Sequence, residues 1–572
     1  MQRKSRALAA LTVLTAIGGA LRFYNLAWGA PYFHFHMDEH YVFMGADLLR
    51  TSMRDAALSG KFFMYGPLPM YLVDVLRWTY ETVAHPLVLT VQRDEIAYMV
   101  MGRAISAALG TATILVAYAI ATRIAGRLAG LLAAAYLAFS VLLIRDAHFF
   151  TVDMSMTFFC MLTWLALLRM AERGSIPSSI ATGMAFACAI VCKYTAAFMA
   201  VPIALAYLLS PQRPTSLEPY SAWARWALRG LIVPATTVVT FVLLDPMVVL
   251  YFEKFQFDVR TQITEPLTGV TRPIFFAHFF DLASPRLYWF TNLLWWGMGP
   301  ALEIVSLAGV VWLLMRKTKP AALSAAVPIA YFVIAGNSVA PFIRYVIPLV
   351  TALTVAAGVI SADLWRRPSS RLAGAIVTWL VLGSTAAYAA AYMNIFRQPD
   401  SRVAAARYLR QEVPQGARVL VEPSHNIPPI GSYFYATNFY GDYVLWGRDE
   451  ERLDWLHLYG LDTYRYLYDR RPTPEQKRDY IASRLAQVEW IVIDDTYVQW
   501  YEHLPEADYA VVKQHYRDLF AGRLGFQLER TFKVRPSLFG HEINDDGSEF
   551  TFRLMDHPRV FVFRRSAAPP LQ

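Results

Sequence analysis

Two adjacent carboxylates, Asp38 and Glu39, are the residues of this chain whose types best suit acid–base chemistry. One acid of such a pair can take the proton of an attacking hydroxyl or amine, while the other positions it or helps to hold a cation. We predict that Asp38 is the base and Glu39 its partner. The alternative is that both acids only mark a membrane boundary, but adjacent carboxylates among histidines and aromatics are costly unless exposed or partnered.

Histidines precede the acidic pair at alternate positions. His34, His36 and Asp38 would share one face of an extended segment, where imidazole and carboxylate groups could bind a divalent metal. The alternative is that both histidines are hydrogen-bonded loop residues, because the spacing fixes no further ligand. A divalent metal at His34 and His36 is therefore the one cofactor that the pattern allows, and none is required.

Further charged residues lie at the ends of apolar segments. Asp153 begins one such segment, where it could face the same cavity as Asp38 or simply cap a helix. Lys193 separates two apolar runs, and Arg344 and Tyr345 begin a later one. A lipid phosphate needs fixed cations with a hydrogen-bonding neighbour, so Arg344, Tyr345 and Lys193 are the predicted phosphate-binding residues. Ordinary anchoring at the membrane interface is the alternative.

Composition indicates the environment of these residues. The chain has 572 residues, of which 56% are hydrophobic and 17% charged, and this is too apolar for an ordinary soluble enzyme. The net charge of +9 is mostly an orientation signal, because many Lys and Arg fall in short gaps between apolar runs. No nucleic-acid partner is predicted. Cys160, Cys188 and Cys192 all lie inside apolar segments, so neither a disulfide framework nor a thiolate metal site is supported.

The apolar runs predict about eleven membrane spans, since a helix of about 20 residues crosses the hydrocarbon. They begin near residues 7, 101, 128, 153, 177, 194, 229, 289, 321, 345 and 372. We interpret the first as a retained signal anchor. If the N-terminus is cytoplasmic, every inward gap carries basic residues, as the positive-inside rule requires. Residues 29–100 then form a long outer loop that holds Asp38 and Glu39.

Near residue 394 the pattern of apolar and polar residues changes to that of a soluble domain. A helix is predicted at 474–486, and strands are predicted at 417–421, 490–494, 549–554 and 560–563. An odd number of spans places this domain outside the cytoplasm. The expected architecture is an α-helical polytopic membrane domain, residues 1–393, followed by an extracytoplasmic α/β domain, residues 394–572.

The order of several features resembles the glycosyltransferase C (GT-C) superfamily. More narrowly, it is similar to dolichyl-phosphate-mannose protein mannosyltransferases and bacterial aminoarabinose transferases. The features are a basic start and first span, the outer Asp38-Glu39 pair, the segment Tyr65-Gly66-Pro67-Leu68-Pro69-Met70-Tyr71, Arg103 opening the next span, Asp153, and the late segment Arg344-Tyr345-Val346-Ile347-Pro348. The resemblance covers about residues 1–350.

The resemblance implies an inverting transfer of a hexosyl or pentosyl group from a polyprenyl-phosphate donor to a lipid, glycan or protein acceptor. It would occur at the outer face of a cell inner or plasma membrane. By position, Asp38 matches the family's catalytic loop acid, Glu39 its partner, Asp153 the second acid, and Arg344 the basic residue near the donor phosphate. One departure is Tyr65-Gly66-Pro67, where members often carry His-Pro-Pro or Lys-Pro-Pro.

Two other functions fit parts of the sequence. A transporter or flippase of a lipid-linked or charged solute would also use intramembrane charges and aromatics. Against it, no inverted repeat is visible, and the charged residues concentrate at one membrane face. A noncatalytic assembly protein could instead use residues 394–572 to recognise a surface polymer.

Overall fold

The computed structural model describes residues 2–30, 36–58, 62–84, 94–422, 424, 426–430 and 456–566. Packing of the backbone divides the chain into two compact units. The helical unit comprises Met1–Leu26, Asp38–Val270 and Pro285–Ala390. The C-terminal unit comprises Ala27–Met37, Thr271–Ser284 and Ala391–Gln572. Two short segments far from residue 394 thus belong to the C-terminal unit, which the sequence patterns did not indicate.

Apolar helices form the frame of the helical unit. In the described part of the chain, six stretches of helix are long and apolar enough to cross a membrane, and four shorter apolar helices accompany them. In chain order the helices are Gln2–Phe23, Asp94–Ala138, Val152–Arg173, Ile176–Cys192, Ala200–Leu208, Tyr220–Gly230, Ile232–Leu244, Pro300–Met315, Lys319–Ala335, Ile347–Arg366 and Arg371–Met393. The predicted polytopic helical fold is confirmed.

One of these helices contains two of the predicted spans. Asp94–Ala138 has 45 residues, which at 1.5 Å per residue is about twice the thickness of the hydrocarbon. Its backbone leaves the helical region at Ala125 and at Gly126, where φ is +76°. A left-handed φ is easily adopted only by glycine, so Gly126 allows the chain to break here. The spans predicted near residues 101 and 128 lie on either side of this break.

The span predicted to begin near residue 289 is shorter than expected. Trp289–Leu294 and Trp295–Met298 form a separate, irregular helical stretch that ends at Gly299, where φ is +82°. Pro300 then begins the apolar helix Pro300–Met315. The Gly-Pro step explains the break, because glycine accepts the left-handed conformation and proline suits the first turn of a helix.

Short helices connect the long ones in the helical unit. They are Met37–Thr51, Met53–Leu58, Phe62–Met64, Pro67–Thr79, Tyr80–Ala84, Val141–Asp146, Tyr194–Met199, Met247–Leu250, Phe252–Asp258, Val259–Thr264, Glu265–Thr268, Pro285–Tyr288, Ile343–Val346 and Pro368–Ser370. The residues with candidate chemistry lie on these connections or at the helix ends beside them.

The strands of the C-terminal unit are β1 Arg418–Val421, β2 His457–Gly460, β3 Trp490–Asp494, β4 Phe526–Phe532, β5 Ser537–Leu538, β6 His541–Glu542 and β7 Val560–Arg565. Five of them form a mixed sheet in the order β2-β1-β3-β7-β4, and β5 and β6 form a separate hairpin. β2, β1 and β3 run parallel, and β7 is antiparallel to both β3 and β4. The predicted α/β domain is confirmed.

Helices cover this sheet, and apolar side chains fill both of its faces. The helices of the unit are Ile274–Phe279, Ile395–Arg397, Ser401–Glu412, Thr463–Leu467, Pro474–Ala486, Asp495–Tyr501, Glu506–Phe520 and Phe550–Leu554. β3 is buried along its whole length, as predicted for a central strand.

The strand predicted at residues 549–554 is wrong, because Phe550–Leu554 is a short helix. Glu549 caps the first turn, because its carboxylate accepts hydrogen bonds from the backbone amide and the hydroxyl of Thr551. Phe550 and Phe552 are both buried, against different aromatic partners. The alternation of apolar residues therefore reflects burial on two sides of one helical turn.

Candidate active site

Asp38 lies in the first turn of the helix Met37–Thr51, where the helix dipole favours a carboxylate. Its side chain is buried and forms an ion pair with Arg344, from a position 306 residues later in the chain. The Tyr65 hydroxyl donates a hydrogen bond of 2.7 Å to the other oxygen of Asp38. Burial and the adjacent carboxylate raise the pKa of Tyr65, so this hydroxyl keeps its proton and can donate. The structure thus brings the predicted base and a predicted phosphate ligand into direct contact.

A second acid–cation pair joins Asp153 and Lys193, whose Nζ lies 2.7 Å from Oδ1 of the acid. Asp153 is in the first turn of Val152–Arg173, but Thr151 occupies the N-cap position. Lys193 has an extended backbone between two helices, which turns the chain at the end of the apolar segment. The second oxygen of Asp153 is buried and has no hydrogen-bond partner among the described residues. Helix capping is therefore not the role of this side chain.

One aromatic ring connects the two pairs. The Lys193 ammonium lies 5.3 Å from the centroid of the Tyr345 ring, and the Arg344 guanidinium lies 5.7 Å from the same centroid. Asp153 also interacts electrostatically with Arg344. The two acids and both cations are therefore neighbours in one cluster, which we call the charged cluster.

The cations of the charged cluster are more accessible than the acids. Lys193 and Arg344 retain 17% and 21% exposure of their side chains, whereas Asp153 and Asp38 retain 1% and 5%. An anionic ligand would therefore meet the positive groups first. Carboxylates behind them hold these long side chains in position, which reduces the entropy that a ligand must remove.

Glu39 has a different environment from Asp38. It is completely buried, and its two oxygens accept hydrogen bonds of 2.9 and 3.0 Å from Arg103. The Phe150 amide donates a third bond, of 2.8 Å. Arg103 also donates to the carbonyl of Leu26. This bidentate pair ties three parts of the helical unit together, a geometry that suits a positioning residue.

Asp146 is an acid that the sequence prediction did not select. It is buried at the end of Val141–Asp146 and interacts electrostatically with both Asp153 and Lys193. Burial and the negative charge of Asp153 raise the pKa of Asp146. Tyr65 was also not selected. Tyr65 lies in the segment quoted for the family resemblance, but nothing in the spacing indicated the partners of either residue.

The predicted metal ligands are only partly described. His34 lies outside the described residues, and His36 is buried in the C-terminal unit. Within the described ranges, no group of three or more His, Cys, Asp and Glu side chains is arranged to hold a metal ion. The metal site at His34 and His36 stays a prediction. The three cysteines are free thiols, as their positions in apolar segments indicated.

Comparison with known proteins supports a specific fold family. Residues 97–239 match the model of a family described as dolichyl-phosphate-mannose-protein mannosyltransferase. This region includes Asp153 and Lys193 but neither Asp38 nor Arg344. No curated protein sequence is similar enough to be matched.

Solved structures extend the similarity to most of the chain. The oligosaccharyltransferase of Archaeoglobus fulgidus in the apo form is 11% identical, with a TM-score of 0.50 over 89% of this chain and 72% of that one. ArnT from Cupriavidus metallidurans bound to undecaprenyl phosphate is 16% identical, with a TM-score of 0.47 over 96% of this chain and 97% of that one. The protein has a GT-C-type membrane fold. The resemblance to dolichyl-phosphate-mannose protein mannosyltransferases is confirmed over residues 97–239, and the likeness to the solved structure confirms the fold that the resemblance implied.

Proposed function

We propose that this chain is a membrane glycosyltransferase that moves a sugar from a polyprenyl-phosphate donor to an acceptor, with inversion at the anomeric carbon. The observation that carries the proposal is the charged cluster, in which two acids and two accessible cations surround Tyr345. The family match supports it, because a dolichyl-phosphate sugar is a polyprenyl-phosphate donor. The cluster supplies the two groups that such a transfer needs, a base and an anion-binding surface.

Asp38 is the proposed base. The acceptor oxygen or nitrogen attacks the anomeric carbon as its proton passes to the Asp38 carboxylate. At the same time the bond from the anomeric carbon to the phosphate oxygen breaks, and its electron pair leaves with the lipid phosphate. Tyr65 and Arg344 contact the two oxygens of Asp38, which fixes the orientation of the carboxylate. Attack from the side opposite to the phosphate inverts the configuration.

Arg344 and Lys193 are the proposed phosphate ligands. Negative charge grows on the phosphate as the glycosidic bond breaks, so fixed cations stabilise the transition state more than the ground state. Tyr345 lies against both cations and is the proposed hydrogen-bonding neighbour of the phosphate. Asp153 holds Lys193 in place, and Glu39 with Arg103 holds the loop that carries Asp38. Catalysis here rests on positioning and electrostatics, without a nucleotide.

The remaining details extend this proposal. The transferred group is a hexose or a pentose, and the acceptor is a lipid, glycan or protein. The N-terminus lies in the cytoplasm, and both the charged cluster and the C-terminal unit lie on the outer side of a cell inner or plasma membrane. Basic residues in the inward gaps support this orientation. The divalent metal at His34 and His36 is kept in this proposal only as the sequence pattern allows it.

The transporter alternative is not favoured. A transport path needs charged groups near the middle of the membrane, whereas Asp153, Lys193 and Arg344 lie at the ends of their helices. The matched family is one of sugar transferases.

The test is sugar transfer by purified protein from a panel of radiolabelled polyprenyl-phosphate hexoses and pentoses to an extract of envelope lipids and glycans. Asp38→Asn keeps the size of the side chain but removes the base, and we expect transfer to fall by at least about 100-fold. Arg344→Lys keeps a charge but loses the planar guanidinium, so the half-saturating donor concentration should rise. Full transfer by Asp38→Asn would rule out the assigned base.

A matched control is the Arg316–Asp363 ion pair, which is also partly buried but contacts none of the residues of the charged cluster in the described structure. Asp363→Asn should leave the rate of transfer within about twofold of the native protein, a change of less than 0.5 kcal/mol in barrier. Failure of the native protein to use any donor would favour the rival functions. Equal loss in the control and the Asp38 variant would indicate that transfer is sensitive to any broken ion pair.

A further inference from the structure

Asp245 is a buried acid that the proposed mechanism does not use. It follows directly on the apolar helix Ile232–Leu244 and is completely buried. The Tyr194 hydroxyl donates a hydrogen bond of 3.3 Å to Oδ2. Oδ1 has no hydrogen-bond partner in the described part of the chain, although the Val248 amide lies close to the carboxylate. A buried polar atom without a partner carries the full cost of its lost hydration, and a ligand that donates a hydrogen bond would remove that cost.

No cation of the described residues forms an ion pair with Asp245. Lys254 is the nearest base along the chain, and it is paired with Asp258. Tyr194 and Tyr71 are the titratable side chains that interact electrostatically with Asp245. The carboxylate therefore has one tyrosine hydroxyl bonded to it, a second tyrosine within electrostatic range, and spare acceptor capacity on Oδ1. Such a site recognises hydroxyl or amino groups, because they supply the missing donor.

Aromatic rings pack around Tyr194, the hydrogen-bond partner of Asp245. Phe255 packs edge-on against Tyr194, with ring centroids 5.3 Å apart, and against Phe63 at 5.7 Å. Tyr194 and Phe255 are both partly exposed. Ligand sites typically combine an apolar aromatic wall with a few convergent polar groups. A sugar ring has this pair of properties, since its C–H faces are apolar and its edges carry hydroxyls.

Short stretches of chain link the residues around Asp245 to the charged cluster at two places. Lys193 directly precedes Tyr194, and Tyr65, which holds Asp38, is two residues after Phe63. Both connections lie within the helical unit. A ligand that contacts Asp245 would therefore be beside the groups that act on the glycosidic bond.

We propose that Asp245, Tyr194 and Tyr71 form a second subsite that binds a hydroxyl or amino group of a sugar, with Phe255 as its aromatic wall. The subsite rests on the proposed glycosyltransferase function, because the sugar is either the one on the donor lipid or one on the acceptor. In both cases the Asp245 carboxylate accepts a hydrogen bond and takes no part in proton transfer. It determines which sugar is bound, whereas Asp38 determines whether it is transferred.

The test measures binding of two probes to the full-length protein in detergent, undecaprenyl phosphate and the undecaprenyl-phosphate sugar that the native protein transfers best. Asp245→Asn keeps the shape and the Tyr194 contact but loses the charge. If the donor sugar occupies the subsite, this variant should bind the sugar-bearing lipid about tenfold more weakly and the bare lipid equally well. Tyr194→Phe should show a smaller loss in the same direction.

An acceptor sugar gives a different result. Binding of both lipids would then be unchanged, and the amount of envelope glycan extract needed for half-maximal transfer at saturating donor would rise about tenfold. Asp258→Asn is the matched control, because Asp258 is equally buried but already satisfied by Lys254 and Gln262. Asp258→Asn should change neither the binding of the two lipids nor the amount of glycan extract needed for half-maximal transfer.

Unchanged binding and unchanged half-saturation in Asp245→Asn would overturn the subsite while leaving the proposed function intact. Equal weakening of the bare lipid would also overturn it, because the residue would then act on the phosphate or on folding. The thermal midpoint of each variant separates an effect on the phosphate from an effect on folding, because only the second lowers the midpoint. If the native protein binds neither lipid and transfers no sugar, the proposed function fails, and the subsite fails with it.

Discussion

A buried carboxylate can move a proton or hold another group in place, and we propose that Asp38 does the first and Glu39 the second. Asp38 contacts a tyrosine hydroxyl and one partly exposed cation, whereas every contact described for Glu39 is to a buried donor. Adjacent residues in a helix point in different directions, which explains how neighbours in sequence meet such different partners. The sequence predicted Asp38 as the base and Glu39 as its partner, but it did not indicate the contacts that distinguish the two acids.

This difference predicts separate effects on stability and activity. Glu39→Gln leaves the buried Arg103 charge without its partner, so we expect a loss of about 3 kcal/mol in the free energy of unfolding. Thermal unfolding in detergent should show a lower midpoint for this variant and an almost native midpoint for Asp38→Asn. A Glu39→Gln protein with a native midpoint and no sugar transfer would instead make Glu39 a catalytic residue.

At the scale of elements, the loop before the helix Pro67–Thr79 determines where Tyr65 lies. Gly66 packs against the backbone of Val191 and Cys192, and a Cβ atom built on it would lie 1.8 Å from the Val191 carbonyl oxygen. Lys193 follows these two residues directly. The close contact therefore fixes the segment that supports Asp38 against the segment that supports Asp153. This accounts for glycine at the position where the resembling family often has proline.

Gly66→Ala should consequently separate the two segments. We expect sugar transfer to fall by at least about tenfold, because a shift of about 1 Å in a catalytic group is enough for a larger loss. Gly383→Ala is the control, since nothing beyond the backbone of its own helix lies within 4 Å of its Cβ position and a helix favours alanine. Transfer assays on both variants test this, and equal activity of the Gly66 variant would contradict the positioning role.

Another element-scale feature is the environment of His557 in the C-terminal unit. Its ring nitrogens lie 2.6 Å from Asp556 and 2.7 Å from Asp545, and Asp556 also accepts a hydrogen bond from Tyr392. Burial alone would lower the pKa of His557, but the carboxylates of Asp556 and Asp545 raise it to about 9. The imidazolium is therefore part of the folded structure at neutral pH.

Since the folded pKa exceeds the ordinary value of 6.5, this contribution to stability is fully present below pH 6.5 and is lost as the pH rises through 9. It amounts to about 3 kcal/mol. His557→Asn should lower the thermal midpoint at pH 6.5, and the difference from the native protein should shrink towards pH 9.5. A difference that stays constant with pH would contradict a charged histidine.

At the scale of the whole molecule, hydrophobic periodicity predicted most of the helical fold and the α/β unit. It predicted less well where spans break, because Gly126 and the Gly299-Pro300 step act locally on φ without changing hydropathy. Hydrophobic periodicity also could not predict which charged residues form ion pairs with each other. Asp38 and Arg344 were each identified by residue type, but their contact spans 306 positions and depends on how the helices pack.

The proposed orientation predicts the accessibility of two engineered cysteines. Leu217 is 95% exposed in a predicted cytoplasmic gap, and the Arg471 side chain is 89% exposed in the C-terminal unit. In intact cells, a membrane-impermeant maleimide should label Arg471→Cys and not Leu217→Cys, while both react after the cells are opened. The native cysteines are buried or partly buried, so the unmodified protein gives the background. The reverse pattern would invert the topology and place Asp38 in the cytoplasm.

The ion pair between Asp38 and Arg344 also has a consequence for timing. A phosphate bound by Arg344 competes with Asp38 for the same guanidinium, so arrival of the donor loosens the hold on the base. A carboxylate that loses part of its counter-charge becomes more basic. In the proposed mechanism, Asp38 would therefore accept a proton most readily while a donor phosphate occupies Arg344, and the empty site would hold the weaker base.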